Sequence, residues 1–130
     1  MSYEIKQDGK FKFIEEGDGE PLMLLHGLFG ALSNFQFLIE HFRKTNRIIV
    51  PILPLLDLDR LHTSVGGLQK FVHRFVEHRN YNDIHLLGNS LGGHVALVHV
   101  LKHPERIKSI ILTGSSGLFE SGMGDTYPKR

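Results

Sequence analysis

Apolar residues occur along the chain in two patterns, short continuous runs and longer segments in which they recur every three to four positions. Four runs are bounded by turn residues and are too short for helices. They are Leu22–Leu25, Arg47–Leu53, Ile84–Leu87 and Ile107–Leu112. Such runs are typical of strands that are buried on both faces of a parallel sheet. We therefore expect four consecutive strands of one sheet.

The N-terminal segment has a different pattern, in which apolar and polar residues alternate. Two alternating stretches, Tyr3–Gln7 and Lys10–Ile14, lie on either side of Asp8-Gly9. Asp-Gly between such stretches predicts an antiparallel hairpin with a two-residue type I′ turn, because glycine accepts a positive φ.

Three segments between the apolar runs have the period of amphipathic helices. The first follows Asn34, the second follows Thr63 or Ser64, and the third starts near Ser90 and ends before Pro104. The solvent-facing side of the second helix is predicted to comprise Lys70, His73, Arg74, Glu77 and His78. The order β-β-β-α-β-α-β-α-β predicts the α/β class, a doubly wound and mostly parallel sheet with helices on both faces.

Composition narrows the possible functions. The chain has 130 residues, enough for one domain, and a net charge of +1 without a basic stripe, which argues against nucleic acid as a partner. It has no cysteine, its N-terminus lacks the apolar core of a signal peptide, and its apolar runs are too short to span a membrane. We expect a cytoplasmic protein without a membrane partner.

The sequence Gly-Asn-Ser-Leu-Gly at positions 88–92 matches the pattern G-x-S-x-G. It follows a predicted strand and opens a predicted helix, which is the setting of a nucleophile elbow. The pattern indicates Ser90 as a catalytic nucleophile, with the N–H of Leu91 as an oxyanion-hole donor and Gly88 and Gly92 as supporting residues. The alternative is a glycine-rich turn that only links strand and helix or binds a phosphate, but no G-x-G-x-x-G or Walker pattern supports phosphate.

A His-Gly pair, His26 and Gly27, ends the first apolar run about sixty residues before the elbow. A loop in this place supplies the second oxyanion donor of such sites, which indicates the N–H of Leu28. We expect His26 to hydrogen-bond to loop backbone and to hold the shape of the loop, rather than to act as the catalytic base.

Residues 21–30, 84–97 and 103–113 together resemble the N-terminal half of an α/β-hydrolase fold protein. The elbow resembles those of esterases and of carbon–carbon bond hydrolases that cleave ring-fission products, and it does not separate the two. The resemblance implies a serine hydrolase that acts on a small-molecule ester, thioester or related carbonyl through an acyl-enzyme, without a cofactor. It also implies an eight-stranded sheet. Residues 1–113 would supply the N-terminal part of this core, truncated after about the sixth strand. Residues 114–130 would form a loop leading toward a cap domain that is absent from this chain.

The chain departs from the family after the elbow. The triad runs in the order Ser, then Asp or Glu, then His, yet no histidine follows His103. His94, His99 and His103 fall on the helix that Ser90 begins, where we expect structural roles. His99 and His103 have i, i+4 spacing but no evident third ligand, so no metal site is expected.

Three explanations for the missing acid and histidine stay open. The chain is a fragment of a hydrolase and is inactive alone. In the second explanation, the C-terminal half is a separate chain that completes the sheet and the triad. An open sheet edge also invites self-association. In the third explanation the chain is a non-catalytic ligand-binding or assembly protein with a half-fold of this type.

Overall fold

The computed structural model of the chain describes residues 3–26, 35–54 and 64–114. The strands are β1 (Lys6–Asp8), β2 (Phe11–Glu16), β3 (Glu20–Leu25), β4 (Asn46–Pro51), β5 (Ile84–Asn89) and β6 (Ile107–Thr113). The helices are α1 (Gln36–Phe42), α2 (Val65–Arg79) and α3 (Leu91–Lys102), and a 3₁₀ turn covers Pro104–Arg106. The element order predicted from the apolar pattern is confirmed. The predicted loop at 114–130 lies outside the described residues except for Gly114.

The strands form one sheet in the order β1-β2-β4-β3-β5-β6. The pairs β1–β2 and β2–β4 are antiparallel, and β4–β3, β3–β5 and β5–β6 are parallel. The mostly parallel α/β sheet expected from the sequence is therefore confirmed. Since parallel strands end at the same edge, the residues that follow β3 and β5 lie near one another, and these include His26 and Ser90.

The sheet separates two apolar cores, and neighbouring residues of one strand belong to opposite cores. In β3, Met23 and Leu25 pack with α2 and α3, whereas Leu22 and Leu24 pack with α1. Each fully buried side chain of this size contributes about 1.5–3 kcal/mol relative to exposure. Burial on both faces is why the strand sequences are continuously apolar instead of alternating.

The predicted turn of the N-terminal hairpin was wrong by one position. Asp8 is the last residue of β1 and pairs with Phe11, which leaves Gly9 and Lys10 as the turn. Gly9 has φ 62° and Lys10 has no positive φ, so glycine occupies the first turn position, as in type II′ and not type I′. In this register Phe11 and Phe13 are buried in the core, and the carboxylate of Asp8 accepts a hydrogen bond from Arg79 at 2.8 Å.

The starts and ends of the helices follow local chemistry. Ser64 caps α2, since its Oγ accepts a hydrogen bond from the N–H of Gly67 at 2.9 Å. The same helix ends at Asn80, which takes the left-handed conformation with φ 56°. The N-cap of α1 is Phe35, one residue after the predicted Asn34, and it makes no side-chain cap hydrogen bond. Thr63, the alternative start of α2, lies outside the described residues.

The prediction that His73 faces solvent was wrong, whereas Lys70, Arg74, Glu77 and His78 are exposed as expected. His73 is half-buried, and its ring stacks on that of His103 with a centroid distance of 3.6 Å and an angle of 9°. The physical reason is that α2 packs against α3 as well as against the sheet, so its buried sector is wider than one apolar stripe. In the described ranges no helix combines the length and the apolar character needed to cross a bilayer.

Candidate active site

The turn between β5 and α3 consists of a single strained residue. Asn89 ends the strand, Leu91 begins the helix, and Ser90 between them has φ 58° and ψ −122°. A residue with a side chain in such a sparsely populated region costs about 1–3 kcal/mol and persists only where its surroundings enforce it. Ser90 is exposed, so the turn presents its hydroxyl at the carboxyl edge of the sheet.

Hydrogen bonds on both sides of Ser90 maintain this conformation. Its N–H donates to the carbonyl oxygen of Thr113, the last residue of β6, at 3.0 Å. Its carbonyl oxygen accepts from the N–H of Gly93 at 2.9 Å and from that of His94 at 3.3 Å. The serine is thereby fixed between the neighbouring strand and the first turn of α3.

The two glycines of the elbow are required by close backbone contacts. A Cβ on Gly88 would lie 2.6 Å from the Cα of Gly93, and one on Gly92 would lie 2.5 Å from the carbonyl carbon of Leu25. Real Cβ atoms do not come this close to backbone, so α3 could not approach β3 and β5 if either position carried a side chain. The spacing G-x-S-x-G is thus a consequence of how tightly this helix packs on the sheet.

His26 lies directly after β3 and is buried, with 8% of its surface exposed. Its Nε2 accepts a hydrogen bond from the N–H of Leu53 at 3.4 Å. This contact ties the end of β3 to the segment after β4, which is the kind of backbone contact expected of a residue that shapes the loop.

Of the two candidate oxyanion donors, the N–H groups of Leu91 and Leu28, only that of Leu91 belongs to the described residues. Leu91 is the first residue of α3, so its N–H lies at the helix N-terminus, outside the helical hydrogen-bond ladder, where partial positive charge favours an oxyanion. Leu28 and its neighbour Gly27 lie outside the described residues. The amide of Leu28 stays a prediction from the sequence.

The other histidines of the core are engaged elsewhere. Gln69 donates to His99 Nδ1 at 3.2 Å, and the ring of His99 also neighbours those of His73 and His103. Burial, together with the imidazoles of His103 and His73, lowers the pKa of His99 to about 4. Within residues 3–26, 35–54 and 64–114, no group of three or more His, Cys, Asp or Glu side chains has a geometry that would hold a metal ion.

The sequence did not reveal this three-histidine cluster. The spacing of His99 and His103 was visible, but the third member comes from α2, which the topology alone brings alongside α3. The buried amide of Gln69 was a further signal, since a polar residue within an apolar helical stripe requires a partner.

The alpha/beta hydrolase fold family matches residues 20–128. The chain belongs to the α/β-hydrolase fold family. A solved alpha/beta hydrolase enzyme from a sediment metagenome of the Mar Chica lagoon in Morocco is 42% identical, with a TM-score of 0.83, and the match covers 97% of this chain and 57% of that one.

Two curated relatives are a hydrolase and a lipase. The 2-hydroxymuconate semialdehyde hydrolase of a Pseudomonas species is 31% identical over 80% of this chain and 39% of its own length. Lipase 1 of Psychrobacter immobilis is 27% identical over 88% of this chain and 38% of its own length. The chain therefore spans about two fifths of the length of these relatives.

Proposed function

We propose that Ser90 is the nucleophile of a serine hydrolase that acts on a small-molecule ester, thioester or related carbonyl compound. The single observation that carries this proposal is the backbone of Ser90, φ 58° and ψ −122°, at the junction of a parallel strand and a helix. A strained serine at this junction is the arrangement of a nucleophile elbow. Family membership and relatives named as lipases support it.

The proposed chemistry proceeds in two steps. The Oγ of Ser90 attacks the carbonyl carbon while a base takes its proton, and the oxyanion that forms accepts hydrogen bonds from the N–H groups of Leu91 and Leu28. Departure of the leaving group gives an acyl-serine, and water then releases the acid. No step needs a cofactor. His26, Gly27, Gly88 and Gly92 hold the backbone of the two oxyanion donors in place.

The base and its carboxylate are proposed to come from polypeptide beyond this sequence. In the family order both follow the serine, and here no histidine follows His103. Either a later segment or a separate chain would complete the sheet next to β6 and bring them to the elbow. We expect this chain alone to be inactive, in the cytoplasm, and without membrane or nucleic-acid partners.

The test is intact-mass spectrometry after incubation with a fluorophosphonate, on this chain alone and on the protein isolated from its native source. With peptide mapping to locate adducts, we expect residue 90 to be labelled in the native protein but not in the chain alone or after Ser90→Ala. Thr45→Ala removes an exposed hydroxyl far from Ser90 in the sequence. It is the matched control and should react with the fluorophosphonate to the same extent as the parent protein.

Two outcomes would count against the proposal. A native protein that reacts with the fluorophosphonate but carries no adduct on Ser90 would remove the nucleophile assignment. A native protein with the mass of this chain, 14.8 kDa, that folds but does not react would favour a ligand-binding or assembly role instead.

A further inference from the structure

Three polar side chains form a connected row at the amino end of the sheet, away from Ser90. They belong to Glu20 at the start of β3, His85 near the start of β5 and Ser109 near the start of β6. The Nε2 of His85 lies 2.7 Å from Glu20 Oε1, and its Nδ1 lies 2.7 Å from Ser109 Oγ. A carboxylate, an imidazole and a hydroxyl are thus joined in series by short hydrogen bonds.

The negative charge on Glu20 determines which atoms of the row donate hydrogen bonds and which accept them. Hydrogen bonds from His85 and from Lys108, whose Nζ is 3.2 Å from the same oxygen, hold the pKa of Glu20 below its ordinary value. An ionised carboxylate only accepts, so Nε2 of His85 carries the proton. In a neutral imidazole Nδ1 is then the acceptor, and the hydroxyl of Ser109 donates to it. This is the polarity that activates a serine.

The row of Glu20, His85 and Ser109 is separate from the elbow, and its side chains are partly exposed in the described part of the chain. His85 precedes Ser90 by five residues, about 16 Å along a strand, and β6 runs parallel to β5, so Ser109 lies at the opposite edge from the elbow. The side chains of Glu20 and His85 are 55% and 26% exposed, and Ser109 is half-buried.

We propose that Ser109 is a second activated nucleophile, which accepts an acyl group from small activated esters such as aryl acetates. The Oγ of Ser109 forms a bond to the acyl carbon, its proton passes to Nδ1 of His85, and the Nε2 proton stays hydrogen-bonded to Glu20. The bond from the acyl carbon to the aryloxy oxygen breaks, and the phenolate leaves with its electron pair. The imidazolium then returns its proton to water.

A purely structural role would require the same geometry, since the row also links β3, β5 and β6 across the sheet. Linking strands requires hydrogen bonds only, whereas activation requires a basic imidazole. His85→Gln retains hydrogen-bonding capacity and removes the base, so it distinguishes the two roles.

The test uses the chain with Ser90→Ala, so that the elbow cannot react and the result does not depend on the proposed function. The protein is incubated with p-nitrophenyl acetate, and acetyl groups are located by peptide mapping. We expect Ser109 to be acetylated faster than Thr45, whose exposed hydroxyl lies beside the Phe42 carbonyl and the Asn46 side chain instead of an imidazole. Adding His85→Gln should slow Ser109 about 100-fold, the lower end of general-base effects, and leave Thr45 unchanged.

Acetylation of Ser109 no faster than that of Thr45 would overturn the proposal, and this comparison needs no further variant to fold. An unchanged Ser109 rate in His85→Gln, with a native circular-dichroism spectrum, would overturn it as well and leave the row as a link between strands. Glu20→Gln, which removes the carboxylate charge, should give an intermediate rate.

Discussion

Lowering the pH should destabilise the protein chiefly through His99. This side chain is 1% exposed and lies between α2 and α3. Its neutral form accepts the hydrogen bond from Gln69 at Nδ1, and protonation would place a donor there instead. His73, His103 and Glu105 are the titratable groups that act on it, and the two imidazoles oppose its protonation.

The size of the effect follows from the pKa of His99 in the two states. Burial lowers its pKa from the ordinary 6.5 to about 4 in the folded protein. Between pH 6.5 and pH 4, His99 binds a proton in the unfolded chain but not in the folded chain. The free energy of unfolding therefore has its full value above pH 6.5 and decreases as the pH falls toward 4. At 1.36 kcal/mol per pKa unit, the loss is about 2 kcal/mol near pH 5 and about 3 kcal/mol below pH 4.

The assay is urea unfolding followed by far-ultraviolet circular dichroism at about pH 7.5 and pH 5. His99→Gln, which cannot titrate, should lower the free energy of unfolding at the higher pH but lose about 2 kcal/mol less on acidification. His41→Gln, on the exposed side of α1, is the matched control and should keep the parent's pH dependence. If His99→Gln and the parent lost equal stability on acidification, the reasoning about His99 would be refuted.

Substitutions at three further positions test the turn, the helix packing and the helix cap. Ser90→Gly should have a higher melting temperature than Ser90→Ala, equivalent to about 1–3 kcal/mol, because glycine relieves the strain at φ 58°. Equal melting temperatures would show that the turn is unstrained. Gly92→Ala should lower the free energy of unfolding by about 1–3 kcal/mol in urea titrations, since its methyl group meets the carbonyl of Leu25, and an unchanged midpoint would contradict that contact. Ser64→Ala should cost about 1 kcal/mol in the same titration, whereas Ser64→Asp, which keeps a cap for Gly67, should not.

The apolar pattern predicted the elements of the fold because burial on both sheet faces leaves a strong local signal. The continuous run at Leu22–Leu25 is such a signal, and each of its side chains fills one of two cores. The hairpin turn was misplaced because Asp8-Gly9 was assessed by turn preference alone. The structure pairs Asp8 with Phe11 in the hairpin and with Arg79 on α2, and no local pattern shows a partner seventy-one residues away.

The strand–turn–helix junction at Ser90 was predictable to the residue, since its three parts are contiguous in the sequence. The clusters around His99 and His85 were not, because each joins elements that are distant along the chain. His85, for example, forms hydrogen bonds with Glu20 and Ser109 on the neighbouring strands. Strand order decides such partners, and it follows from the whole topology rather than from any one segment.

The position of β3 inside the sheet bears on how the protein folds. Leu22 pairs with Ile48, twenty-six residues away, and with His85, sixty-three residues away. Closing the wider loop costs more chain entropy, and sheets built on distant pairings fold slowly. Ser90 lies at the end of the strand that makes this distant pairing. We therefore expect its strained backbone to form late in folding, after the hairpin at Gly9 and only once β5 has docked.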